Sequence, residues 1–227
     1  MLSVHSLLAR LAAPFVTRNR RSARAMLVRF ARAELGSSLS LRWAAARTVS
    51  AERRALYLRH ALDEERHARL FAARARKLGA KLSVLAADAD DLLRLLGETR
   101  FVAFVHRAEA RGERELAAYR RSFAAAGDRK TAAVFDAVLR DERRHVEYSE
   151  ALLQELGVTR MTALGVASWE GMRAARRGGR ALLAQVSHAV LVALYVTLLP
   201  FSLALRMRSR LRGADGTSGK RVPALER

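Results

Sequence analysis

LDEERHARLF, residues 62–71, and RDERRHVEYS, residues 140–149, carry nearly the same acidic-basic-histidine phrase, DEERH at 63–67 and DERRH at 141–145. In each, a Glu precedes a His by three residues. That spacing sets both side chains on one side of a helix. Surface decoration would not need the repeat, so the residues around each phrase decide its meaning.

Working outward, apolar residues recur at steps of three or four on four long stretches, and each stripe is interrupted by ionisable groups. From about 22 to 48 the stripe runs Leu27, Phe30, Glu34, Ser37, Leu41, Ala44. The second runs Tyr57, His60, Glu64, His67, Phe71 and closes at Gly79. After an apolar-acidic piece at 80–97, long enough for a crossover, the third runs Val102, Val105, Glu109, Gly112, Leu116, Tyr119, Phe123 and stops at Gly127. Asp128 is placed to cap the fourth helix, with Phe135, Val138, Glu142, His145, Ser149 and Leu152 on its stripe and Gly157 at its end. The expected fold is all-α: a four-helix bundle made of two hairpins, with a crossover between helices 2 and 3.

Burying a lone carboxylate costs several kcal/mol, and four converging in one core repel each other as well. A pair of metal cations removes that cost. Two Glu-x-x-His units plus one Glu from each remaining helix give six ligands: Glu34, Glu64, His67, Glu109, Glu142 and His145. The spacing supports a single site. Glu34 and Glu109 are 75 residues apart, and Glu64 and Glu142 are 78 apart, as in a duplicated helical hairpin. Glu113, one turn after Glu109, is the alternative third-helix ligand. Glu64 is preferred to Glu65 because it alone has the i, i+3 relation to His67. His60 reads as a group behind the ligands or, more commonly for such a residue, a partly buried histidine with a backbone partner. Tyr57, Tyr119 and Tyr148 read first as packing residues.

Over residues 22–157 this ordered set resembles the ferritin-like superfamily of carboxylate-bridged di-iron proteins. The resemblance implies two Fe ions, with mixed manganese–iron or di-manganese occupancy as variants of the same ligand set. The phrase D-E-x-R-H also resembles the motif of bacterial multicomponent monooxygenases and acyl-carrier desaturases. That implies that Asp63 and Asp141 orient the ligand imidazoles and that Arg66 and Arg144 support those carboxylates. The stretches EERHARLF and DERRHVEYSEALL resemble rubrerythrin-type peroxidases. Their additional Glu one turn after the third-helix ligand is Gly112 here, and the chain has no Cys for a rubredoxin module.

Composition narrows the chemistry. The 227 residues include 42 Lys and Arg against 22 Asp and Glu, a net charge of +20. The absence of Cys excludes disulfides, thiolate metal sites and iron–sulfur clusters. Residues 1–21 form a basic amphipathic segment suited to a membrane surface. Residues 158–180 read as a basic linker. The hydrophobic segment 181–212 contains a run, 181–205, with no Asp, Glu, Lys or Arg, against roughly 20 residues needed to span a bilayer. Arg206, Arg208, Arg210 and Arg212 follow, then a flexible tail at 213–227. An in-plane anchor is preferred to a span, since it leaves the bundle on the cytoplasmic side whichever way the arginines are counted.

Demethoxyubiquinone hydroxylases share this combination of ligand order and membrane association. The expectation is therefore a membrane-associated di-iron oxygenase, hydroxylase or desaturase. Its partners would be O₂, an apolar small-molecule or lipid substrate, an external electron donor and a membrane surface, with nucleic acid disfavoured. Competing readings are a rubrerythrin-like peroxidase or ferroxidase, a tRNA-modifying di-iron hydroxylase using the basic surface, and a non-catalytic metal-binding module.

Overall fold

The computed structural model describes residues 13–82, 85, 87 and 89–215. The expectations for 1–12 and 216–227 lie outside them. The described residues form helices and no strand. Residues 13–18 are helical, and Ala13 and Val16 pack against the core. Then come α1 (Arg20–Arg47), α2 (Ala51–Lys77), the short α3 (Leu92–Leu96), α4 (Glu98–Ala125), α5 (Arg129–Glu155) and α6 (Arg160–Asp215).

Helix starts follow their capping residues. Asn19 accepts hydrogen bonds from the Arg21 and Ser22 amides, Ser50 from Arg53, and Asp128 from Thr131. Gly79 and Gly127 supply the positive φ, 92° and 79°, that turns the chain after α2 and α4. Asp128 also accepts from the Thr131 hydroxyl and from Arg74 of α2. Asp128→Ala is expected to cost about 1–2 kcal/mol, the upper part of the range for a lost N-cap, measured by urea unfolding.

The long helices pair antiparallel. On α1 and α2, Arg24 donates to the Gly79 carbonyl at one end and Ser38 to the Ala61 carbonyl further along. On α4 and α5, Arg120 pairs with Asp136, and His106 bonds Ser149. On α2 and α5, Arg53 reaches Glu155 while Arg74 reaches Asp128. The connection into α4 runs along α1, where Ser40 donates to the Asp90 carbonyl and Arg47 pairs with Asp91. Glu98, at the start of α4, then accepts from Thr48, Arg53 and Tyr57 together. These ties fix the axial position of α4 relative to α1 and α2.

Helices α1, α2, α4 and α5 share one core, with Leu27, Phe71, Leu116, Phe123, Phe135 and Val138 buried in it. Phe135 is in ring contact with Phe30, Phe71, Tyr119 and Phe123. This aromatic layer fills one stretch of the interior. The polar stretch beside it is lined by the ionisable residues of the same stripes.

Two compact units are present, residues 1–168 and 169–227. Residues 160–215 are continuous helix, so the stretch read as a basic linker is helical through Gly178 and Gly179. Pro200 also lies within α6. Among the described residues no helix is long and apolar enough to cross a membrane.

Candidate metal centre

Helix α2 sets His60, Glu64 and His67 on one buried face, at i, i+4 and i+7. Helix α5 opposes it with Glu142, His145 and the hydroxyl of Tyr148, α4 contributes Glu109, and α1 contributes the half-buried Glu34. Their ligand atoms fall into two groups, each within 4.8 Å: Glu34, Glu64, His67 and Glu142 in one, and His60, Glu64, Glu109 and His145 in the other. All six residues expected as ligands are thus brought together, and Glu64 belongs to both groups. Glu113 and Glu65 are not part of it. Glu113 pairs with Arg143, and Glu65 with Arg42 and Arg69, at partly exposed positions.

The two imidazoles of the Glu-x-x-His units show what the centre can hold. His67 Nδ1 and His145 Nδ1 are buried and have no hydrogen-bond partner. Each faces carboxylates at distances long for a hydrogen bond: His67 Nδ1 is 3.4 Å from Glu142 and 3.8 Å from Glu64, and His145 Nδ1 is 3.5 Å from Glu64 and 3.8 Å from Glu109. Two donors each about 2.1 Å from a shared ion, at right angles, stand about 3 Å apart. Unpartnered nitrogen facing carboxylate oxygen at this spacing is what a cation needs.

The opposite ring nitrogens are held from behind. His67 Nε2 bonds Asp141 at 3.0 Å, and His145 Nε2 bonds Asp63 at 3.3 Å. Each Asp therefore serves the histidine of the other phrase. Arg66 donates to both Asp63 and Asp141, at 2.7 and 2.6 Å, and Arg144 donates to Asp141 and lies 3.6 Å from Asp63. The outer letters of the doubled phrase thus form one charged ring across α2 and α5. It fixes both imidazoles with Nδ1 inward. Asp141→Asn is expected to weaken metal binding by about 10- to 100-fold, as read by metal titration, because a charged acceptor for the His67 N–H is lost.

Crowding sets the protonation of the metal-free centre. Burial, reinforced by neighbouring carboxylates, pushes Glu64 and Glu142 well above the usual carboxylate range. Burial also lifts Glu34 to about 7. Burial works against the charge of Glu109 too, yet the adjacent His60 and His145 hold its carboxyl down at about 2. Burial depresses His60 to about 3 and lowers His67 despite Asp141, so both imidazoles are neutral at physiological pH, as metal ligands must be.

Two residues gain weight over their sequence reading. His60 is 1% exposed and has side-chain partners rather than the backbone partner expected, with Nδ1 bonded to the Tyr148 hydroxyl and Nε2 3.1 Å from Glu64. Tyr148 is the one of the three tyrosines in contact with the cluster. Tyr57 bonds Glu98, and Tyr119 packs on Phe30 and Phe135. Of the remaining histidines, His106 bonds Ser149 and His188 is exposed. The chain matches no family model, no curated protein and no solved structure, so the centre is assigned from its own residues as a buried His and Glu cluster able to hold metal.

Proposed function

We propose that this chain is a ferritin-like four-helix bundle that holds two iron ions and works as a membrane-associated, O₂-dependent oxygenase on an apolar substrate. The observation that carries the reading is the pair of buried, unpartnered Nδ1 atoms facing carboxylates, with Glu64 common to both donor groups. Glu34, Glu64, His67 and Glu142 would hold one ion, and Glu64, Glu109 and His145 the other. Bound iron would supply the reduction of O₂ and the oxidation of a substrate C–H bond.

The chain's own contribution is placement. Asp63 and Asp141, braced by Arg66 and Arg144, orient the imidazoles and set their tautomer. Four carboxylates, three of them buried, offset the cation charge. Gly112, one turn after Glu109, keeps α4 narrow beside Glu142: a Cβ there would stand 3.6 Å from Glu142 Oε2. The position at which rubrerythrin-type peroxidases carry an additional Glu is therefore glycine here and supplies no ligand. With no Cys in the chain, electrons would come from a separate donor.

Membrane association rests on α6. Leu183, Val186, Val190, Leu191, Val192 and Leu194 are all exposed, within the run that lacks charged residues. Arginines on both sides of that run suit anionic headgroups. The preferred arrangement is an in-plane anchor.

Anaerobic reconstitution with Fe(II), followed by metal analysis, tests the centre. Two iron ions per wild-type chain and far fewer in Glu142→Ala are expected; equal, low content in both would end the reading. O₂ uptake by the reduced protein, faster with a lipid or quinone extract than without, tests the oxygenase assignment. Fractionation of cells tests the anchor, since full recovery without detergent would remove it.

A further inference from the structure

His67 and His145 share a design: one ring nitrogen is anchored on a side chain, and the other points at the carboxylates. His60 has the mirror arrangement, with the difference that its inward nitrogen is hydrogen-bonded to Glu64. Its Nδ1 is anchored on the Tyr148 hydroxyl, and its Nε2 lies 3.1 Å from Glu64 and 3.6 Å from Glu109. The ring lies against His145, with centroids 3.7 Å apart, so both imidazoles address the same pair of carboxylates. His60, Glu64, Glu109 and His145 bring one donor atom each within 4.8 Å of one another, close enough to share a cation.

We infer that His60 is a seventh protein ligand, binding through Nε2 the metal position formed by Glu64, Glu109 and His145, with Tyr148 as the positioning residue that sets its ring. This rests on the two-metal reading above and deepens it. The two positions become chemically unequal. One has two imidazoles and two carboxylates, and the other has one imidazole and three carboxylates. Imidazole favours the later first-row metals, and carboxylate suits manganese. The position with His60 therefore takes Co(II) in preference to Mn(II), and the Glu34 position discriminates less.

The full chain loaded with Co(II) alone provides the test, by proton NMR. Each Co(II)-bound imidazole shows one strongly shifted, exchangeable N–H from its remote ring nitrogen. Three such signals are expected. Two, from His67 and His145, would each neighbour two ring C–H groups, because in those residues Nε2 carries the proton. The third would neighbour one ring C–H, because in His60 the proton is on Nδ1, next to the substituted ring carbon. His60→Gln should remove that third signal and weaken Co(II) binding at one position by at least about tenfold. Tyr148→Phe should keep the Co(II) content and the signal but speed its exchange with solvent.

Two Co(II) per chain with only two shifted N–H signals in the wild type would overturn the assignment of His60 and leave the two-metal reading standing. So would three signals persisting in His60→Gln. Failure of the wild type to bind Co(II) at all would overturn both. The wild-type spectrum decides even if the His60 variant does not fold.

Discussion

Glu64→Gln is expected to remove metal binding and, in the same molecule, to make the metal-free protein harder to melt at pH 8. Glu64 is 2% exposed and belongs to both donor groups, so its loss takes an oxygen from each metal position at once. Affinity for Fe(II) or Co(II) should fall by at least about 100-fold, roughly 2.7 kcal/mol. The metal-free protein has the opposite interest. Burial and the charges of Glu34, Glu109 and Glu142 oppose ionising Glu64 there. At pH 8 the native state must either hold that proton against solution or bear the repulsion. Glutamine keeps the shape, removes the ionisation and can donate its amide hydrogens to the carboxylates around it. The gain should be largest at alkaline pH and close to nothing at pH 5, where a protonated Glu64 already resembles glutamine. Saturating metal at about 1,000 times Kd stabilises a folded protein by about 4 kcal/mol. For a chain of this size that corresponds to about 8–16 °C in melting temperature. Wild type should show that rise on adding metal, and Glu64→Gln should not. A metal-free variant melting below wild type at pH 8 would mean that Glu64 helps hold the fold rather than straining it.

The four long helices were legible because their stripes are interrupted by charges at helical spacing, and an ionisable residue on a buried stripe is informative where a leucine is not. The same logic found Glu34, Glu64, His67, Glu109, Glu142 and His145, all of which the fold brings together. It undervalued His60, since a single histidine on an apolar face is ordinarily a satisfied core residue. Only its side-chain partners, Tyr148 and Glu64, separate the two cases, and Tyr148 is 88 residues away. The crossing of the aspartates was also out of reach. Within each phrase the local i, i+3 Asp–Arg pairing does form, as Asp63 with Arg66 and Asp141 with Arg144. The bond from Asp to the histidine of the other phrase exists only because α2 and α5 run antiparallel at one particular height. Towards the chain's end the helix extends through the stretch read as a basic linker. Gly178 and Gly179 look like a boundary, but two glycines cost a helix only about 2 kcal/mol together, and the chain continues as helix through them.

The metal-free protein should lose stability as pH rises from about 6.5 to 8, and bound metal should cancel that loss. Glu34, at about 7, and Glu64 and Glu142, well above the usual range, have folded values raised over the unfolded 4.5. The folded state thus binds more protons than the unfolded one from pH 4.5 upward. The stability from these groups is fully present below pH 4.5 and is lost as pH climbs through the folded values. His60, depressed to about 3 from 6.5, and His67, also depressed, act in the other direction. The stability they contribute is fully present above pH 6.5 and is lost as pH falls through their folded values. From 4.5 to 6.5 the two sets oppose each other, which gives a broad maximum. Above 6.5 the histidine contribution is constant and only the carboxylates change, so the slope is downward. Metal reverses this, because binding needs the carboxylates ionised and the imidazoles neutral, and affinity therefore rises with pH. Melting curves from pH 5 to 8.5, with chelator and with saturating Co(II), should diverge steadily above pH 6.5. The metal-free curve should fall by several degrees, at about 2–4 °C per kcal/mol. Parallel curves would mean that the buried carboxylates are not the ligands. A metal-free maximum at pH 8 would mean that they ionise freely and that the centre is open to water.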